Sequence, residues 1–195
     1  IMEILGSVFK CSGNLVAFNT EKVRQHYRED ENLKIAVFII IGSVPTALMG
    51  LFLKKYEHVL FSSQILVGFT LILTGTILWI SRRFYTPDQT GAPLGVWRAV
   101  VIGFTQGLAV IPGISRSGST IAAGMFIGLN RSLAAKFSFL LSIPAIIGAE
   151  ILGIKDLVES GGALDMVTIW STLAAFIVGL VALKILLRLV HSGKF

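Results

Sequence analysis

Residues 96–129 read VWRAVVIGFTQGLAVIPGISRSGSTIAAGMFIGL, and the reading of this stretch decides the architecture. It is apolar enough to lie in a membrane, yet Pro112-Gly113 and Arg116 fall at its centre. Proline and glycine punctuate a helix there, and an arginine at mid-membrane depth is costly unless it is paired or faces a polar cavity. The stretch either crosses once as a broken helix or enters and leaves by the same face as a re-entrant hairpin. Basic residues decide between the two, because cytoplasmic loops collect Lys and Arg. Re-entry puts Lys10, Lys22, Arg24, Arg28, Lys34, Arg82, Arg83, Arg98, Arg131, Lys136, Arg188 and Lys194 on one side, against Lys54, Lys55 and Lys155 on the other, a split of 12 to 3. A single crossing gives 9 to 6. The larger asymmetry selects the hairpin over 96–129.

Working outward, Ile35–Leu53 is bounded by Lys34 and Lys54-Lys55 and is long enough to span a bilayer core, with Pro45 expected to kink it. Leu60–Ile80 is a second span, ending at Trp79 and Arg82-Arg83 as interfacial anchors. Tyr85–Gly95 is turn chemistry. Phe137–Ile154, interrupted by Pro144, and Met166–Val190 complete the set, with Lys184 and Arg188 one turn apart and expected to snorkel to the headgroups. Residues 10–34 are polar, so Ile1–Phe18 is at most a partial membrane helix. The expected fold is an all-α integral membrane protein, a multi-span bundle around a re-entrant helix–loop–helix, and a single domain. The chain starts at Ile1 and stops in a basic tail, so a piece of a longer chain is expected, lacking an N-terminal re-entrant motif and the last helix.

Composition agrees. Apolar residues make up 54% of the 195 residues and charged residues 14%, with a mean hydropathy of +0.80. A soluble domain carries about 25% charged residues to wet its surface. Disorder, a disulfide scaffold (Cys11 is the one cysteine) and a coiled coil are excluded. The net charge of +6 reads as topology rather than as a nucleic-acid surface. The cluster His26-Tyr27-Arg28-Glu29-Asp30-Glu31 lacks metal-ligand spacing and reads as a solvated loop.

The chemistry concentrates in Pro112-Gly113-Ile114-Ser115-Arg116-Ser117-Gly118-Ser119-Thr120. Glu150 is the one acidic residue inside a predicted span, and its position favours the interface, so Arg116 lacks an obvious counter-charge. An arginine of that kind suits an anionic ligand, and its planar fork grips two phosphate oxygens at once. If the second arm starts near Ser117, the amides of Ser117, Gly118 and Ser119 sit at a helix N-terminus, where the dipole favours negative charge. Gly113 and Gly118 leave room for a ligand, Ser115, Ser119 and Thr120 offer hydroxyls, and Gln106 is expected to line the pocket. Ser115 is a nucleophile only if a base is near, and no histidine is close in sequence. The alternative stays open: the hydroxyls cap a kinked helix and Arg116 reaches a cage of carbonyls. Gly103 and Gly107 on one arm, and Gly124 and Gly128 on the other, have the spacing that lets backbones approach closely.

The run from Gly103 to Ile121, with PGISRSGST at its centre, followed by Phe137-Ser-Phe-Leu-Leu-Ser-Ile-Pro144, resembles the undecaprenyl-diphosphate phosphatases, also called bacitracin-resistance proteins. The resemblance covers about Leu33 to Val190. It implies a multi-pass protein of the bacterial cytoplasmic membrane that removes the terminal phosphate of undecaprenyl diphosphate and yields the monophosphate carrier of cell-wall synthesis. It also implies an inverted repeat with one re-entrant hairpin in each half. By this resemblance Ser115, Arg116 and Thr120 are the catalytic positions; from their places in the loop, Gly113, Ser117, Gly118, Ser119 and Gln106 are expected to bind substrate. The family's acidic first motif, of the type EGLTEFLPVSSTGH, is absent from these 195 residues. A divalent cation, Mg or Ca, is implied, with its ligands in that missing motif and none in this chain. The expected partners are an isoprenoid diphosphate lipid, membrane lipids and a second copy of the chain, with no nucleic acid. Re-entrant loops and a midplane arginine equally suit a transporter that moves a phosphorylated lipid without hydrolysis.

Overall fold

The computed structural model describes residues 31–84, 91–161 and 165–191. The readings made for Cys11, for His26 to Asp30 and for Ile1–Phe18 lie outside these residues. Among the described residues every regular element is a helix: α1 (Glu31–Lys54), α2 (Glu57–Ser62), α3 (Gln64–Ser81, followed by a 3-10 turn to Phe84), α4 (Val96–Leu108), α5 (Arg116–Phe126), α6 (Arg131–Glu159) and α7 (Met166–His191). The described residues up to 149 and those from 150 onward form two compact units. The second unit holds the end of α6 and all of α7, and both carry exposed apolar side chains such as Ile151, Trp170 and Phe176. The first unit holds the hairpin.

Three helical segments, Asn32–Lys54, Gln64–Phe84 and Arg131–Glu159, are long and apolar enough to cross a membrane. Their outward faces are large and apolar: Ile65 is 88% exposed and Ile72 71% exposed. Water would not tolerate so continuous a patch, but lipid does. The protein is an all-helical membrane protein.

Two boundaries differ from the sequence expectation. The stretch 60–80 is not one helix, because the chain turns out of α2 at Ser63, whose backbone is extended and whose hydroxyl caps α3 by accepting from the Leu66 amide at 3.3 Å. Serine side chains compete with the helix for backbone groups, and averaging over an apolar window hides that. The third span is longer than 137–154 at both ends. Asn130 starts it, its Oδ1 accepting from the Leu133 amide at 2.7 Å, and Pro144 leaves the helix continuous.

The region 96–129 is a helix–loop–helix of 13 and 11 residues joined through Ala109–Ser115. At about 1.5 Å per residue the arms measure about 20 and 17 Å, short of the roughly 30 Å hydrocarbon core. Its two ends are pinned together. The Ala92 amide donates to the Gly128 carbonyl at 2.8 Å, and Arg98 donates from Nε to the Ile127 carbonyl and from Nη1 to the Pro93 carbonyl, both at 3.1 Å. Both arms therefore start and finish at one level, as re-entry requires.

The neighbours set the depth of the tip. Along α1 and α4, Gly42 lies against Ala99 and Gly103, and Met49 against Gly107, so these helices run the same way. Along α3 and α5, Thr70 and Thr74 meet Pro112-Gly113, Leu78 meets Gly118, and Phe84 stacks edge-on against Phe126 at 4.9 Å. The tip thus rests against the middle of α3. The apolar core, including Phe38, Ile102, Leu129, Phe137 and Leu141, fills the space between α1, the hairpin and α6.

The glycine pairs act outward rather than between the arms. A Cβ on Gly103 would collide with the Gly42 backbone, and one on Gly107 would lie 2.5 Å from the Met49 Cβ. A Cβ on Gly124 would lie 2.8 Å from the Ala134 Cβ. Gly128 instead turns the chain out of α5 with φ 88°.

Candidate anion site at the hairpin tip

The tip has two halves built from opposite chemistry. In the first, Pro112 and Gly113 are clamped to α3. Thr70 donates from Oγ1 to the Pro112 carbonyl at 2.7 Å, and Thr74 donates to the Gly113 carbonyl at 3.3 Å. Gly113 has φ 90°, and a Cβ there would run into Thr70 Oγ1 and the Val67 carbonyl. Only glycine suits both the conformation and the approach. Gly113 thus packs the tip and does not face the cavity described below.

In the second half Ser115 is the N-cap of α5, its Oγ accepting from the Gly118 amide at 3.3 Å, and the helix starts at Arg116, one residue earlier than expected. The Ser119 amide donates to the Ser115 carbonyl at 2.9 Å. Of the three amides expected to face a ligand, those of Gly118 and Ser119 are taken up by the cap. The amides of Arg116 and Ser117, at the first two helical positions, have no acceptor within the helix. Ser119 and Thr120 are buried, and each donates to a carbonyl of its own first turn, Ser119 to Ser115 at 2.7 Å and Thr120 to Arg116 at 2.8 Å.

A cavity of about 270 Å³ opens beside this turn, lined by Arg116, Ser117, Thr120, Ser138, Phe139, Ser142 and Ile146. It lies between the start of α5 and the middle of α6. The structure brings Arg116, Ser117 and Thr120 together there. Ser115 caps the helix, Gly118 lines a different cavity with Leu78 and Arg82, and Gln106 is buried, donating from Nε2 to the Leu141 carbonyl at 3.1 Å in the turn before Pro144. Gln106 therefore braces α4 on α6 and lines neither cavity.

Arg116 and Ser117 are exposed, and their side chains make no hydrogen bond or ion pair among the described residues. The sequence reading assigned no role to Ser138, although the signal was present. Ser138 and Ser142 are four residues apart, as are Ser142 and Ile146, and this spacing puts all three on one helix face. Ser142 donates to the Phe139 carbonyl at 2.7 Å. Ser138 is buried, and its Oγ has no partner.

This lining presents one permanent positive charge, several hydroxyls and no carboxylate. A divalent cation takes oxygen ligands dominated by carboxylates, so the cavity does not fit the implied metal. It fits an oxyanion, which a guanidinium and free hydroxyl donors neutralise and orient. Among the described residues no cluster of three His, Cys, Asp or Glu side chains is arranged to hold a metal ion. His58, on α2, does not line the cavity, so no base stands beside Ser115 or Ser117 among the lining residues.

Fold and site together define an all-helical membrane protein with an exposed arginine beside a hydroxyl-lined cavity at the tip of a helix–loop–helix. Residues 5–195 match the family model described as bacitracin resistance protein BacA, and the chain belongs to that family. It is 49% identical over 191 residues to an undecaprenyl-diphosphatase of Desulforapulum autotrophicum, covering 98% of this chain and 67% of that protein. A Desulfosudis oleivorans protein of the same name is 52% identical over 168 residues, covering 86% of this chain and 61% of the relative. One from Methanothermobacter thermautotrophicus is 45% identical over 157 residues, covering 79% and 87% respectively. The chain thus spans about three fifths to two thirds of the first two relatives and most of the third.

Proposed function

We propose that this chain forms part of an undecaprenyl-diphosphate phosphatase, a multi-pass protein of a bacterial cytoplasmic membrane that returns the lipid carrier of cell-wall synthesis to its monophosphate form. The observation that carries the reading is Arg116, whose side chain has no partner among the described residues, at the tip of the hairpin in a cavity lined by both hydroxyls and apolar side chains. The names of the relatives support the same substrate.

A lipid diphosphate fits both ends of the cavity. Its headgroup meets Arg116 and Ser117, and its first isoprene unit lies along Phe139 and Ile146. In the reaction, water adds to the terminal phosphorus, the bond from that phosphorus to the bridging oxygen breaks, and the bridging oxygen stays on the lipid monophosphate. The proton lost by the water leaves with the phosphate or passes to solvent. Arg116 offsets the charge that builds on the phosphate oxygens, the kind of stabilisation a fixed donor supplies in the transition state. The lining residues supply no general base, so this chain's described contribution is binding and charge stabilisation. A divalent cation, Mg or Ca, if the reaction employs one, takes its carboxylate ligands from outside this cavity. The apolar outer surface leaves room for a second copy of the chain, and the homodimer belongs to the same proposal, tested by the mass of the detergent-solubilised protein.

Incubating the purified protein with undecaprenyl diphosphate and assaying inorganic phosphate tests the reading. Phosphate release that disappears with Arg116→Ala is the expected result. Saturable binding of the lipid with no phosphate released would identify a translocator and overturn it.

A further inference from the structure

Ser138 breaks a pattern. Among the described residues the other buried hydroxyls, those of Thr46, Thr70, Thr74, Ser81, Ser119 and Thr120, each donate to a backbone carbonyl. A helical serine ordinarily does so to the turn before it. Ser138 is 4% exposed and its Oγ has no partner among the described residues. A buried hydroxyl without a partner costs free energy, so an unsatisfied one in a cavity points to a partner that arrives from outside.

The other polar groups of the cavity sort by whether their donors are free. Thr120 and Ser142 have committed their hydrogens to carbonyls of their own helices. Arg116, Ser117 and Ser138 have not. The two free groups on α5 and the one on α6 line the same cavity, from its two walls. The other unpartnered buried polar side-chain atom among the described residues, Gln106 Oε1, is an acceptor that would repel an anion, and Gln106 lies outside the cavity.

We propose that Ser138 is a headgroup-binding residue. Its hydroxyl donates to an oxygen of the phosphate that Arg116 holds, so the anion is gripped from α6 as well as from α5. This rests on the anion-binding reading of Arg116. It turns the Phe137–Pro144 segment from a packing helix into the second wall of the receptor, and it fixes the anion's orientation as well as its charge.

The test uses the full chain in detergent, with inorganic pyrophosphate as the probe and three variants. Ser138→Ala removes an unpaired buried hydroxyl, so its thermal midpoint without ligand is expected to stay level or rise, while pyrophosphate affinity falls about tenfold, as for one lost hydrogen bond to a charged group. Ser138→Cys keeps the shape with a much weaker donor and is expected to bind like the alanine variant; a packing role would make it bind like the unaltered protein. Arg116→Ala reports on the underlying reading. Lost binding in Arg116→Ala beside full affinity in both Ser138 variants overturns the inference and leaves the proposed function standing. So does a lower midpoint for Ser138→Ala with unchanged affinity, which marks an internal hydrogen bond. Full affinity in Arg116→Ala, or no binding by the unaltered chain, overturns both.

Discussion

The two halves of the hairpin tip lie within a few residues of each other and are built on opposite terms. Around Pro112-Gly113 the exposed backbone carbonyls have donors from α3, and the glycine is pressed into the helix that supplies them. Around Arg116-Ser117 the side-chain donors have no acceptor among the described residues. The first half is finished as a structure; the second, on the proposed function, is completed by an anion. Substitutions in one should therefore disturb folding and in the other should disturb binding.

The largest expected effect is on the open half. Arg116→Ala should lower phosphate release by about 10²–10³-fold, the usual loss for a donor aimed at developing charge. Its melting curve should match the parent's, since the side chain is exposed. Arg116→Lys should recover little, because a point charge lacks the two-pronged grip. Equal loss of fold and activity in Arg116→Ala would erase the contrast between the halves. Next is Gly113→Ala on the closed half, expected to cost about 2–4 kcal/mol from a left-handed backbone and a collision with α3, read by denaturant titration in detergent.

Smaller effects sharpen the boundary. Gly103→Ala presses a methyl into the Gly42 backbone and should cost about 1–3 kcal/mol of stability, with substrate affinity per folded molecule unchanged. Thr70→Val keeps the shape but leaves the Pro112 carbonyl without its donor, for about 1 kcal/mol. Should Thr70→Val change the Michaelis constant as well, the clamp and the receptor are one unit rather than two.

Much of this was legible in sequence because lipid makes periodicity and charge placement unusually informative. The hairpin could be chosen over a crossing from Lys and Arg positions, and the pins at Ala92, Arg98 and Gly128 have the geometry that choice requires. Arg116 stood out because few residues are as costly at that depth. What did not show was how hydroxyls divide their hydrogens. Ser119, Thr120 and Ser138 look alike in a string of letters, yet the first two spend their donors on their own turn and the third does not. Gln106 likewise carried no sign that it would brace α6. The break at Ser63 was hidden for a related reason: two serines and a glutamine barely lower the average of an apolar window, but one hydroxyl suffices to restart a helix.

The short arms also constrain how the protein is made. Helices of 13 and 11 residues around an arginine-bearing tip cannot be partitioned into a bilayer as independent spans. Their exposed backbone at the turn needs Thr70 and Thr74, and the first arm needs the flat strip at Gly42, before lipid becomes a tolerable solvent for them. The hairpin's stability in lipid therefore depends on α1 and α3, and its insertion is expected to be a docking onto those helices rather than a further round of threading.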